Sequence, residues 1–126
     1  MPNDITSRKD IEFLLTRFYE RAFADDVIGF IFTEVTHLDL AKHLPMIANF
    51  WDDMLLGAHN YSGNPVKVHQ QIDKLSELNE NQFSRWLVLW QITIDEYFAG
   101  EKAEEAKQRA ANIARIMMVK ILQARQ

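Results

Sequence analysis

Four side chains in this sequence join a polar tip to an apolar setting: Tyr19 in "FYERAF", His43 in "HLPMIANFW", His69 in "NPVKVH" and Trp86 in "FSRWLVLW". An imidazole can ligate a metal or move a proton, while a phenol hydroxyl and an indole N–H donate hydrogen bonds. Taken singly, each reads best as a core residue, because Tyr and Trp bring large apolar area and a lone buried histidine usually finds a partner. Taken together they ask for a common cause. Each buried polar tip needs a partner, and one polar ligand in a shared cavity can engage all four.

The elements that must position these groups follow from hydrophobic spacing. A helix from about Ser7 carries Ile11, Leu14, Leu15, Phe18, Tyr19 and Ala22 on one face, a period close to 3.6. "DDVIGFIF" has room for a turn or two before Asp39, a candidate N-cap. A second long helix, about Asp39 to Ala58, repeats Leu40, His43, Leu44, Ile47, Phe50, Trp51, Met54 and Leu55. Pro45 disturbs it, since proline lacks the backbone donor and clashes with the carbonyl four residues back; the helix either begins near Pro45 or is kinked beside His43. Pro65 is suited to the first position of a short helix, which puts His69 one turn further on. Asn79 and Gln82 have capping-box spacing ahead of a helix that is apolar on nearly all sides and so belongs at the centre. A last helix, about Glu101 to Arg125, carries Ala106, Ala110, Ile113, Met117 and Ile121, with small residues that permit close packing. No alternating strand pattern or hairpin signal appears, so the fold class is all-α, four main helices with short extra turns in a single domain spanning 1–126.

Composition closes off several chemistries. The chain has 126 residues, 48% of them hydrophobic, enough for a real core. With no cysteine, it forms no disulfide, thiolate zinc site, iron–sulfur cluster or thioether haem link. The polar start "MPNDITSRKD" lacks an apolar signal core, and runs such as "WLVLW" fall far short of the roughly 18 residues of a membrane span, which gives a soluble, cytoplasmic expectation. A net charge of −4 without a basic tract offers nothing to nucleic acid or to an anionic membrane surface. The Glu-x-x-His of "EVTH", Glu34 to His37, occurs once and beside a loop, whereas a di-iron bundle needs two such pairs and two further inward Glu. A site of His43, His69 and Asp39 around non-haem iron stays open, against Asp39 serving as a helix cap. His59 lies in a polar loop and reads as solvated. No Gly-x-Ser-x-Gly elbow or phosphate-cradling glycine loop is present.

A large apolar prosthetic group is left as the common cause, and there the sequence resembles a known family. "FYERAF", "IGFIF", "HLPMIANFWDDMLLG", "YSGNPVKVH" and "FSRWLVLW" together resemble the truncated haemoglobins of group III over nearly the whole chain. The resemblance implies a shortened globin fold, a two-over-two helical sandwich around haem b (iron protoporphyrin IX). It implies His69 as the proximal iron ligand, Tyr19 and Trp86 as distal hydrogen-bond donors and His43 as the distal histidine. Phe32 resembles the family's phenylalanine stacked against the haem, and Phe50 with Trp51 matches its apolar wall. The glycine pairs of other truncated groups are missing, as expected for this one. Lys42, Lys67 and Lys74 lie near the right elements for the propionates, but read as solvated lysines and are not assigned.

The function expected on this basis is binding of O₂ or another diatomic ligand, such as NO or CO, at ferrous iron. A competing enzyme reading, peroxidase-like or NO-detoxifying, uses the same site and needs an external reductase, because the chain carries no flavin motif. In a third reading the chain is a haem-free helical interaction module with the four polar groups satisfied by backbone.

Overall fold

Polar side chains set where the helices start. Ser7 accepts from the Asp10 N–H at 3.2 Å and opens α1, Arg8–Phe23. Asp39 does the same for Lys42 at the head of α2, Leu40–Leu56, and Asn64 for Lys67 at α3, Pro65–Leu75, with Pro65 in the first turn. Asn79 and Gln82 exchange bonds of 2.9 and 3.0 Å as a capping box ahead of α4, Glu80–Tyr97. In α5, Glu101–Ala124, the residue before the helix is Gly100 and supplies no side chain. The cap comes instead from the other end of the chain: the Asp4 carboxylate accepts from the N–H groups of Lys102 (2.9 Å) and Ala103 (2.8 Å). Gly100 makes this possible, since at φ 143° a Cβ there would lie 2.5 Å from Asp4 Cγ. The Ala99 N–H donates to Asn3 O at 3.0 Å and seals the same junction.

The computed structural model describes residues 2–125; Met1 and Gln126, the two ends of the expected 1–126 span, lie outside the described residues. Among the described residues the fold is all-α, as expected. α1 packs on α2 and α4 on α5, the two pairs meet where α1 crosses α4, and α3 rests on α5. Phe18, Trp90, Ile94 and Ile121 are buried at the centre, and the Ala103, Ala106 and Ala110 stripe lets α5 approach closely. Trp90 stacks on Trp51 of α2 (4.7 Å between ring centroids) and on Trp86 one turn away (6.0 Å), and its N–H reaches Ala106 O at 3.2 Å. Among the described residues no helix is long and apolar enough to cross a membrane.

Three features refine the expected organisation. Among the described residues there are five α-helices, the four main ones and the short helix expected from Pro65, which runs for 11 residues. "IFTEV", Ile31–Val35, is a π-helix, with the Thr36 N–H closing onto Ile31 O at 2.9 Å and the Thr36 hydroxyl doubling that bond. α2 runs continuously through Pro45, neither starting at it nor ending before it.

Candidate haem pocket

Every one of these elements gives residues to a single cavity of about 580 Å³. α1 contributes Tyr19; the π-helix, Ile31, Phe32 and Val35; α2, His43, Met46, Ile47, Phe50 and Trp51; α3, Pro65, Val68, His69, Ile72 and Leu75; α4, Phe83 and Trp86; α5, Ile113 and Met117. No lining residue is Asp, Glu, Lys or Arg, so the cavity suits a bulky apolar guest held by a few polar tips. A shallower concavity beside Asp73, Lys74, Glu77 and Arg125 differs in kind: Arg125 closes it by pairing with Asp73 at 2.7 Å and Glu77 at 3.2 Å.

The four polar groups singled out from the sequence all face this cavity, but in different ways. His69 sits one turn into α3 and its Nδ1 lies 2.7 Å from Pro65 O. A carbonyl only accepts, so Nδ1 carries the hydrogen and Nε2 keeps its lone pair. Burial lowers the His69 pKa, opposed in part by that same bond, and this favours the neutral ring a metal requires. Tyr19 is held edge-on by Phe18 (5.0 Å) and Phe32 (5.7 Å), and burial alone pushes its hydroxyl pKa up to about 12, which keeps the proton on oxygen. Trp86 is fixed by Phe18, edge to face at 5.9 Å, and by the parallel ring of Trp90. Trp90 commits its N–H to a carbonyl; the Trp86 N–H and the Tyr19 hydroxyl make no such bond among the described residues.

His43 departs from the inward placement that the apolar stripe of α2 implied. It lines the cavity but is exposed, at the mouth rather than the interior, because it lies in the first turn of α2, before the helix sinks into the core at Ala48 and Trp51. Asp39 is spent on its cap, and among the described residues no three His, Asp or Glu side chains converge as a metal-ligand group. Glu34 and His37 are exposed, and His37 takes a left-handed φ of 49° at the exit from the π-helix. His59 is exposed in its loop. Phe32, Phe50 and Trp51 line the cavity, with Phe32 stacked on Phe23 at 5.3 Å; Lys42, Lys67 and Lys74 do not line it.

Sequence spacing did not assign Tyr61 to the wall. It comes from the loop after α2, which Asp53 holds by accepting from the N–H groups of Asn60 (2.9 Å) and Tyr61 (2.8 Å). Those two donors keep the Asp53 carboxyl below its ordinary pKa. The Tyr61 ring then packs edge-on to Phe50 at 5.3 Å. An Asp seven and eight residues before the amides it accepts from has no periodic signature in a sequence.

The fit of the cavity to a large planar apolar group rests on its rim. Met46 is 51% exposed, Val68 50% and Leu75 73%, on the facing helices α2 and α3. Exposed large apolar side chains gathered around one opening, with a neutral imidazole lone pair between them, are what a prosthetic group with an apolar edge and a metal centre would cover.

No family model matches the chain. Two comparisons with individual proteins do. The chain is 30% identical over 117 residues, 90% of each sequence, to a group 3 truncated haemoglobin of Campylobacter jejuni. Its fold superposes on the crystal structure of a group III truncated haemoglobin from the same organism with a TM-score of 0.83, at 29% identity, covering 96% of this chain and 95% of the other. Likeness at that level, in sequence and backbone alike and over nine-tenths of the length, places this chain in the family of group 3 truncated haemoglobins.

Proposed function

We propose that this protein binds haem b in the cavity, that His69 would hold the iron through Nε2, and that O₂ or another diatomic molecule would be met by Tyr19 and Trp86. The observation that carries this reading is the set of unspent polar groups facing one apolar cavity: the His69 Nε2 lone pair, the Tyr19 hydroxyl and the Trp86 N–H. When bound, haem supplies the ferrous iron at which a diatomic ligand is held.

The chain's own residues supply the rest. His69, locked by Pro65 O, presents Nε2 in one orientation and one tautomer. Tyr19 and Trp86 are donors that packing holds in place before any ligand arrives; each hydrogen bond to a ligand that gains negative character is worth roughly 0.5–1.5 kcal/mol, and more with charge assistance. Two such donors favour slow ligand release. The Phe32, Phe50 and Trp51 wall keeps water out, and His43, exposed at the mouth, is placed to act as a gate for ligands moving in.

The test is a visible absorption spectrum of the purified chain with haem supplied, beside His69→Ala. The expected result is an intense porphyrin band that shifts on reduction and on adding CO in the parent and is lost or altered in the variant. A parent that stays colourless in excess haem overturns the reading and returns Tyr19, His43 and Trp86 to ordinary packing roles.

A further inference from the structure

Arg8 is the first residue of α1 and does not line the cavity, yet its guanidinium grips α2 immediately after the point where Pro45 leaves one ladder bond out. It donates to Pro45 O at 3.2 Å, to Asn49 Oδ1 at 2.7 Å and to Asp52 Oδ2 at 3.3 Å, with Glu12 at 3.2 Å steadying it from its own helix. Positions 45, 49 and 52 form one stripe down α2, so a single planar donor spans two turns. Asp52 is one of two buried polar residues among the described residues.

The place gripped matters because of what precedes it. Pro45 has no N–H, so Ala41 O receives no ladder bond from it, and the first turn of α2 joins the rest of the helix with one connection missing. At the other end, that turn follows the left-handed His37 and the π-helix. The stretch from residue 37 to 44 thus has a weakened joint on each side, and it carries His43 at the cavity mouth.

We infer that Arg8 is a positioning residue: by holding α2 at Pro45, Asn49 and Asp52 it sets where His43 stands over the mouth, and so governs the rate at which small ligands pass. The inference rests on the proposed haem function.

The experiment is a double-mutant cycle on the haem-loaded protein, measuring CO association after flash photolysis in the parent, Arg8→Met, His43→Ala and the double variant. Association should be faster in Arg8→Met by roughly threefold to tenfold, with no further change when Arg8→Met is added to His43→Ala. The porphyrin band of the unliganded ferrous protein should not move, since His69 is untouched. An unchanged rate, or an equal acceleration in the His43→Ala background, overturns the inference while leaving haem binding intact. Should Arg8→Met not fold, Arg8→Lys takes its place with the same two outcomes, because an ammonium keeps the charge beside Asp52 but cannot reach three acceptors at once. If the parent takes up no haem, the proposed function fails, and Arg8 is judged by amide exchange in the cofactor-free chain: Arg8→Lys should speed exchange at residues 43 and 44 relative to 50–55, and equal protection overturns the role.

Discussion

α3 and α5 lie against each other, yet they differ in how many side chains they bury, although α5 also leaves Ile116, Val119 and Leu122 about half exposed. α5 buries six side chains, among them Ala106, Ala110 and Ile121 with no exposed surface. α3 buries none, and its Val68 and Leu75 are among the most exposed large apolar residues of the molecule. The sequence of α3 is no less amphipathic; its apolar side is turned to the cavity, where the contacts that would cover it are not made by protein. α5 buries residues both in the core and at the cavity, which Ala114 and Met117 line, whereas α3 buries none, and the two can be told apart by what happens when each is damaged.

The largest effect is expected at the packed end. Trp90→Ala removes the ring shared by Trp51, Trp86 and Phe18 and should cost about 3–5 kcal/mol, read from chemical denaturation of the cofactor-free chain. A loss under about 1 kcal/mol would mean that the Trp stack is not the keystone of the core.

Next comes the guest itself. A ligand that binds only the folded state at 1,000 times its dissociation constant stabilises by about 4 kcal/mol, so haem should raise the melting temperature by many degrees in the parent and by much less in His69→Ala. Equal rises in both would detach His69 from the binding.

A smaller effect belongs to the turn after α1. Asp25 accepts from the N–H groups of Val27 and Ile28 and pairs with Arg85 at 2.7 Å, one residue from Trp86. The Arg85 hydrogen bond, more than any other cause, holds its carboxyl below the usual range. A depressed carboxylate stabilises the fold above its unfolded pKa, near pH 4, and that contribution fades as the pH falls through the lower folded value. Asp25→Asn should therefore lower the melting temperature by a few degrees at neutral pH and leave a shallower loss of stability below pH 4. An unchanged acid limb would remove Asp25 from that account.

The smallest effect sharpens the comparison most. Leu75→Ser should change the stability of the cofactor-free chain by no more than about 0.5 kcal/mol, because so little protein surrounds it, yet it should speed haem loss. Loss of several kcal/mol without haem would show α3 to be packed like α5 after all.

The parts of the molecule governed by local rules were legible in the sequence. Ser7, Asp39, Asn79 and Gln82 act within their own helices, so a cap or a 3.6 period announces them, and the residues facing the cavity follow from the same periods. What escaped is tertiary. The sequence around Pro45 left open whether α2 begins there or continues through it, and the hold that Arg8 takes on it comes from another helix. Tyr61 joins the wall through Asp53, and the π-helix adds one residue to a turn without a composition of its own. His43 had the spacing of a core residue, but the spacing does not say that α2 rises to the cavity mouth at that end.

The cap that Asp4 places on α5 joins residues 98 and 99 positions apart, so nearly the whole chain forms one closed ring. Such a ring shuts late: the chain entropy of bringing distant residues together is met only once most other contacts exist. Until then Ile5, fully buried in the finished fold, has nowhere to go, and α5 begins with its first amides uncapped. The short segment ahead of α1 is therefore the latch that ties the head of α5 to the rest of the fold.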